Sequence, residues 1–214
     1  MKLFLASQDF GAHAEKLVEM VGENRRVLFS KNAEDGMDAG ERAAKVEEKR
    51  GMFEGMGFEF LELDLRDYFG KIDELDKFVR EWKPGLVWCG GGNTFVLRKA
   101  LSYSGMDEVL GRDVRRGKYV YGGSSAGAIV AGPSLAHFEV GDDPYVCLPG
   151  YANELIWEGM GLTGERVVPH ADTDWYGEVA ASRAEVFSRL GLAHVVLNDS
   201  DVLIVEGERR EVLR

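Results

Sequence analysis

Residues 119–128 read YVYGGSSAGA and lead into the apolar residues 128–131. This order predicts a β-strand, a turn of small residues and then a helix. Gly123 and Gly127 stand two positions before and after Ser125, which is the spacing G-x-S-x-G. A serine at the centre of such a strand-to-helix turn can present its hydroxyl at the edge of a sheet as a nucleophile.

The motif alone leaves two interpretations open, because Gly/Ser-rich strand-to-helix turns also occur as inert turns or as anion sites at helix N-termini. Ser125 is a better candidate than Ser124, since only Ser125 has glycine at both required positions. In the nucleophile interpretation the next N–H group, on Ala126, points to where an oxyanion would form.

Composition narrows the class of protein. The chain has 214 residues, 45% of them hydrophobic, and no linker-like segment, so we expect one domain over residues 1–214. The net charge of −11 argues against nucleic acid and anionic membranes as partners. No apolar run approaches the roughly 20 residues of a spanning helix, and the N-terminus lacks a signal-peptide core. Cys89 and Cys147 are too few for a disulfide scaffold or a zinc site, so we expect reduced thiols in a cytoplasmic protein without metal or cofactor.

Short β-rich runs alternate with helical patterns along the chain. The predicted strands are residues 3–6, 26–30, 58–65, 86–89, 119–121, 167–168, 195–197 and 202–205. The predicted helices are residues 14–21, 41–56, 72–82, 93–101, 106–116 and 179–190. This alternation predicts an α/β fold, three-layered and doubly wound, with a mostly parallel sheet and helices on both faces. The last two strands are expected to form a terminal hairpin through the turn at residues 198–201.

A second glycine cluster, residues 90–94 (GGGNT), lies between a buried strand and a helix. One interpretation is that the backbone at Gly91 and Gly92 supplies a second oxyanion donor. The other is a tight turn in which Asn93 or Thr94 caps the helix. Beside the serine turn the oxyanion interpretation is favoured, with Gly91 and Asn93 as candidate substrate-binding residues. Neither a dinucleotide-binding nor a P-loop motif is present.

A serine nucleophile needs a base, which is usually histidine. His13 precedes the first helix and His194 precedes a core strand, so neither is favoured. His137 follows the serine turn closely. We favour His170, because it follows a short predicted strand and therefore lies at the same edge of the sheet as Ser125.

The carboxylate that would orient the histidine is not settled by the residues alone. One group of candidates lies between nucleophile and base, and the other lies just after the base. The candidates are Glu139, Asp142, Asp143, Asp172 and Asp174.

The sequence resembles the peptidase E (α-aspartyl dipeptidase) and cyanophycinase family of serine peptidases. The matching segments are residues 90–95 (GGGNTF), 123–128 (GSSAGA) and 169–170 (PH), and more loosely residues 142–144 (DDP). The resemblance implies a class I glutamine-amidotransferase-like fold, with Ser125 as nucleophile and His170 as base. It also implies an oxyanion hole from the N–H groups of Gly92 and Ala126. The implied acid is Asp142, with Asp143 and Glu139 as rivals.

One departure from the family pattern concerns specificity. Where aspartyl dipeptidases carry an arginine in a Gly-Glu-Thr-Arg segment after the histidine, this chain has Ala180, with Arg183 one helical turn away. The resemblance therefore predicts a serine peptidase acting on small peptides, but it does not carry aspartate specificity to this chain. An amidase or esterase on the same scaffold, an inactive ligand-binding module, and a homodimer all stay open.

Overall fold

The computed structural model describes residues 1–214 and contains a seven-stranded central sheet in the order β3-β2-β4-β5-β1-β8-β9. The first five strands in this order are parallel, while β8 and β9 are antiparallel to their neighbours. The strands are β1 (Lys2–Ala6), β2 (Arg26–Ser30), β3 (Glu59–Glu62), β4 (Leu86–Cys89), β5 (Val120–Ser124), β6 (Arg166–Val168), β7 (His194–Val196), β8 (Val202–Glu206) and β9 (Arg209–Leu213). The predicted α/β fold with a mostly parallel sheet is confirmed.

Helices cover both faces of the sheet. They are α1 (Ala14–Val21), α2 (Ala39–Gly55), α3 (Ile72–Trp82), α4 (Thr94–Ser104), α5 (Met106–Arg115), α6 (Ala126–Ile129) and α7 (Gly177–Arg189). Alternate strand residues enter two separate cores, as the two-residue period of a strand requires. Phe4 packs with α1 and α2 on one face, whereas Leu3 and Leu5 pack with α3 to α7 on the other. None of the helices has the length and apolar character needed to cross a bilayer.

The predicted terminal hairpin is wrong. Strand β7 pairs in parallel with β6 in a separate two-stranded sheet, whereas β8 pairs with β1 and β9 in the central one. The hairpin is formed by β8 and β9, which turn at residues 207–208. Residues 198–201 instead link the two sheets. This segment lies close to the carboxyl end of β1, where the Ser7 N–H donates to the Asp201 carbonyl.

The carboxyl ends of β1, β4 and β5 meet at one edge of the sheet, where open α/β sheets generally bind ligands. Ser7, Gly90 and Ser125 immediately follow these three strands. The Ser125 N–H donates to the carbonyls of Ala6 and Ser7, which ties the end of β5 to the end of β1.

Candidate active site

Ser125 lies on a strained turn between β5 and α6. Its φ of 50° and ψ of −113° are rarely adopted by residues with a side chain, and such strain is concentrated at functional sites. The flanking glycines are required by close packing. A Cβ at Gly123 would lie 2.5 Å from the Gly127 carbonyl carbon, and one at Gly127 would overlap the Cys89 carbonyl. The G-x-S-x-G spacing thus corresponds to a sharp strand-to-helix turn.

His170 faces this serine. Its Nε2 lies 3.0 Å from Ser125 Oγ, although the two residues are 45 positions apart. The histidine is 3% exposed and has a φ of 63°, also in the left-handed region. Its backbone N–H donates to Ser7 Oγ at 2.7 Å. The backbone of the histidine is therefore anchored to the end of β1, which fixes where the ring can lie.

The carboxylate beside His170 belongs to Asp199. Its Oδ1 lies 2.6 Å from His170 Nδ1 and also accepts a 3.0 Å hydrogen bond from Ser7 Oγ. The Asp199 N–H donates to Asp172 Oδ1 at 2.9 Å, which holds the link between β7 and β8. A carboxylate on Nδ1 keeps the proton there and leaves Nε2 free to accept the serine proton.

The structure places Asp142, the acid implied by the resemblance, elsewhere. Its carboxylate accepts hydrogen bonds from the N–H and the hydroxyl of Thr94, at the first turn of α4. Burial raises the pKa of Asp142, while the bonds from Thr94 act in the opposite direction. The side chain thus fastens residues 139–145 to the start of α4, and Asp199 rather than the expected Asp142 lies beside the His170 ring.

The other acidic candidates also lie away from the His170 ring. Glu139 and Asp174 are exposed and make no side-chain hydrogen bond, and Asp143 accepts one from the N–H of Tyr145. Asp172 lies near the site only through its bond to the backbone of Asp199.

Among the remaining histidines, His137 packs on Phe187 and His194 Nδ1 contacts the Leu192 carbonyl. His13 precedes α1, and none of the three contacts Ser125.

Backbone N–H groups without an acceptor lie directly after the serine in the chain and on the neighbouring glycine turn. Gly91 is so close that a Cβ on it would lie 3.2 Å from Ser125 Cβ. The N–H groups of Gly91 and Gly92 donate to no acceptor in the protein. Ala126 begins α6, and the first N–H groups of a helix have no acceptor within it. These groups have the chemistry of oxyanion donors, which is the role that the resemblance implies for Gly92 and Ala126.

Asn93, a candidate substrate-binding residue, has its side chain committed to the fold. Its Oδ1 caps α4 by accepting from the N–H groups of Phe95 and Val96, both at 2.9 Å. Its Nδ2 donates to the Asp143 carbonyl at 2.9 Å. The structure therefore gives Asn93 the capping role.

A cavity of about 410 Å³ opens beside Ser125 and His170. Trp175 forms part of its rim: this side chain is 68% exposed, and its ring centroid lies 4.8 Å from that of His170. The lining combines lysines, carboxylates and aromatic residues and includes Asp9, Phe10, Phe29, Lys31, Glu34, Lys45, Glu48, Lys49 and Trp88. The cationic side chains are already paired with the acidic ones, so the cavity carries no excess of either charge.

The two positions relevant to aspartate recognition do not line this cavity. Ala180 is fully buried, and Arg183 is 3% exposed. Arg183 donates to the His137 carbonyl at 2.9 Å and to the Tyr176 hydroxyl at 3.0 Å, and it stacks over the Phe138 ring. The guanidinium is thus used within the fold and does not replace the family arginine.

Sequence reasoning missed Asp199 and Ser7. The sequence places Asp199 in a predicted hairpin turn, and no motif singles out Ser7. The one available signal is that Ser7 directly follows the predicted strand 3–6, and that Asp199 follows the predicted strand 195–197 by two positions, as His170 follows 167–168.

Comparison with known proteins identifies the family of the chain. Residues 4–213 match the family model of Peptidase family S51. The chain belongs to peptidase family S51. As a member of this family it is a serine-type peptidase, and the predicted resemblance to peptidase E is confirmed.

The relatives within S51 are distant but cover much of the chain. Peptidase E of Streptomyces coelicolor is 34% identical over 149 residues, which are 67% of this chain and 54% of that protein. An uncharacterized peptidase of Pasteurella multocida is 29% identical over 190 residues, or 87% of this chain and 85% of the relative. A candidate peptidase E from Listeria monocytogenes EGD-e has a solved structure that covers 100% of this chain and 98% of its own, with a TM-score of 0.76 and 21% identity. This last similarity supports the fold.

Proposed function

We propose that this S51 chain hydrolyses small peptides, with Ser125 as nucleophile, His170 as general base and Asp199 as the orienting carboxylate. The observation that carries the proposal is the continuous set of contacts from Ser125 Oγ to His170 Nε2, at 3.0 Å, and from His170 Nδ1 to Asp199, at 2.6 Å. These distances fall within the hydrogen-bond reach expected of a nucleophile, its base and the group that orients the base.

The reaction follows from this arrangement. His170 Nε2 accepts the hydroxyl proton while Ser125 Oγ attacks the scissile carbonyl, and the charge on the resulting oxyanion is stabilised by the N–H groups of Gly92 and Ala126. His170 then donates the proton to the leaving amine, which produces an acyl-enzyme. Water, deprotonated by the same nitrogen, attacks the ester carbonyl, and return of the proton to Ser125 Oγ releases the acid.

The proposal excludes the two cysteines as nucleophiles. Burial raises the pKa of the Cys89 thiol to about 12, so that it stays protonated at neutral pH. Cys147 is exposed, and its thiol contacts Asn153 rather than any residue of the triad.

Both thiols are unpaired, and this supports the proposal that the chain works in a reducing, cytoplasmic compartment. Immunodetection in cell fractions tests the location, which is wrong if the chain is recovered outside the cytoplasm.

Digestion of a peptide library with wild type and Ser125→Ala tests the reaction. We expect the variant to lose at least about 10⁴-fold in kcat while keeping its melting temperature. Ser124→Ala is the matched control, and it should retain turnover. A fluorophosphonate probe should label Ser125 in the wild type only. Wild-type turnover in Ser125→Ala would disprove the nucleophile assignment, whereas cleavage of simple esters and amides without cleavage of peptides would leave the triad in place and contradict the substrate class.

A further inference from the structure

We propose that Lys31 is a positioning residue for the oxyanion hole, acting through the peptide that joins Gly91 to Gly92. This inference rests on the proposed hydrolytic function. Lys31 directly follows β2 and is only 5% exposed. Its Nζ donates to the Gly91 carbonyl at 3.1 Å. Lysine side chains are rarely buried to this extent unless they are paired. The hydrogen bond from Lys31 to the backbone beside the nucleophile therefore indicates a specific role.

The geometry of a peptide bond links this contact to catalysis. The six atoms of a trans peptide are coplanar, so the Gly91 carbonyl and the Gly92 N–H point in opposite directions. A donor that fixes the carbonyl therefore also fixes the N–H. The Gly92 N–H has no acceptor in the protein, which leaves it available for an oxyanion. The positive charge of Lys31 polarises the same peptide and makes its N–H a stronger donor.

The backbone is hydrogen-bonded on both sides of this peptide, through the N–H groups of Gly90 and Asn93, but Lys31 is the donor that reaches the peptide itself. Gly92 has a φ of 135°, a conformation accessible mainly to glycine. Gly90 provides the space for the lysine stem, since a Cβ at this position would lie 3.2 Å from Lys31 Cδ. Three successive glycines thus allow the turn to approach both Ser125 and Lys31. Glycines also restrain the backbone less than other residues do, and the hydrogen bond from Lys31 adds a restraint at this point.

Glu34 holds the ammonium in place. Its Oε1 lies 3.1 Å from Lys31 Nζ, and its side chain is 12% exposed. The short 3₁₀ helix Asn32–Glu34 is in turn fastened to the glycine turn, because Asn93 N–H donates to the Ala33 carbonyl at 2.8 Å. The charge of the buried lysine is therefore compensated, and its distance to the Gly91 carbonyl is set by contacts on both sides.

The test is the variant Lys31→Met, which keeps the length of the side chain and removes the donor. Loss of a whole oxyanion donor reduces kcat by about 10²–10³-fold, so misorientation of one donor should reduce it by about 10–100-fold, with KM within about threefold of wild type. Affinity for a peptidyl trifluoromethyl ketone, which forms a tetrahedral oxyanion adduct with the serine, should fall by a similar factor. Lys118→Met is the matched control, because Lys118 forms an ion pair with the buried Asp113 near the start of β5, at the opposite edge of the sheet.

The outcomes separate this inference from the proposed function. If Lys31→Met folds and keeps wild-type kcat, Lys31 does not position the peptide, while loss of activity in Ser125→Ala would still support the triad. A large rise in KM with unchanged kcat would show instead that Lys31 binds substrate directly. If Lys31→Met does not fold, a crystal structure of the wild-type trifluoromethyl ketone adduct decides the matter. It should show Gly92 N–H on the adduct oxygen and Lys31 Nζ on the Gly91 carbonyl, and the absence of either contact would overturn the inference.

Discussion

The Asp199 carboxylate lies 2.6 Å from His170 Nδ1, although 29 positions separate the two residues in the chain. Both residues follow strands of the small parallel sheet, His170 after β6 and Asp199 after β7. Parallel pairing brings these two strand ends together at the same edge as Ser125. The proposed acid and base are therefore positioned by the small sheet, and the nucleophile by the large one.

Replacement of Asp199 by asparagine should lower kcat by about 10³–10⁴-fold. Unlike a carboxylate, the amide can donate an N–H to Nδ1, which favours the imidazole tautomer that carries its proton on Nε2 and cannot act as a base. Steady-state kinetics on a cleaved peptide, with circular dichroism to check folding, measures the effect. Asp174→Asn is the control, because Asp174 is an exposed carboxylate close in sequence to His170 with no side-chain hydrogen bond. Equal activities of the two variants would remove Asp199 from the mechanism.

Loss of the Ser7 hydroxyl should affect both activity and stability. Ser7 Oγ accepts from the His170 N–H and donates to Asp199 Oδ1, and Ser7 is fully buried. Ser7→Ala leaves a buried N–H without a partner, which costs about 1–3 kcal/mol in the free energy of unfolding. We expect kcat to fall about tenfold or more, because both His170 and Asp199 lose an anchor.

Ser104→Ala separates the two effects of this change. Ser104 is also fully buried, and its hydroxyl donates to carbonyls of its own helix, outside the site. Both variants should melt at lower temperature, but only Ser7→Ala should lose kcat. Parallel losses of activity in both variants would reduce the role of Ser7 to general stability.

The parts of the site that the sequence predicted are those formed by local chemistry. The turn at Ser125 is recognisable because its two glycines stand at a fixed spacing in the sequence. A Cβ at Gly123 would meet the backbone of residues 127–128, within five positions, whereas Gly127 is required by the more distant carbonyl of Cys89. A cap at Asn93 or Thr94 is one of the alternatives that the sequence leaves open, and the preference of asparagine for helix N-termini is in accord with the cap observed at Asn93. The position of His170 followed from its place after a short apolar strand, since strand ends of parallel units meet at one edge.

Asp199 could not be predicted in the same way, because its position depends on which strands pair. Residues 195–197 and 202–205 are two β-rich segments separated by a turn-like sequence, which is also the pattern of a hairpin. The choice between a hairpin and two different sheets is decided by β6, which has only three residues, and by β1, almost 200 positions away. The resemblance implies Asp142 instead, because Asp142 lies in the loosely matching segment of residues 142–144.

Asp142 should contribute a pH-dependent term to stability. Burial raises its pKa above the ordinary carboxyl value of 3.8, against the hydrogen bonds from Thr94. The native state therefore binds this proton more tightly than the unfolded chain. The resulting stabilisation is fully present below pH 3.8 and is lost as the pH rises through the raised native pKa.

The variant Asp142→Asn removes this term. The difference in the free energy of unfolding, variant minus wild type, should increase as the pH rises from about 4 to about 7, since only the wild type loses stabilisation over this window. Urea denaturation at several pH values measures the difference. Glu139→Gln is the control, because Glu139 is exposed and should show no such trend. A difference that is constant with pH would show that the carboxyl of Asp142 titrates alike in the folded and unfolded chain.

Trp175 should contribute to binding of the peptide more than to the chemical step. Its ring is 68% exposed, lies 4.8 Å from the His170 ring and borders the cavity, so a bound peptide would cover apolar surface that the free protein leaves in water. Loss of roughly 1 kcal/mol of such burial corresponds to a rise in KM of about fivefold. We expect Trp175→Ala to show this rise with kcat within about threefold of wild type and an unchanged melting temperature.

Tyr145→Ala is the matched control, because Tyr145 is 73% exposed and does not border the cavity. A loss of kcat without change in KM in Trp175→Ala would mean that the indole acts on the imidazole of His170 rather than on the substrate.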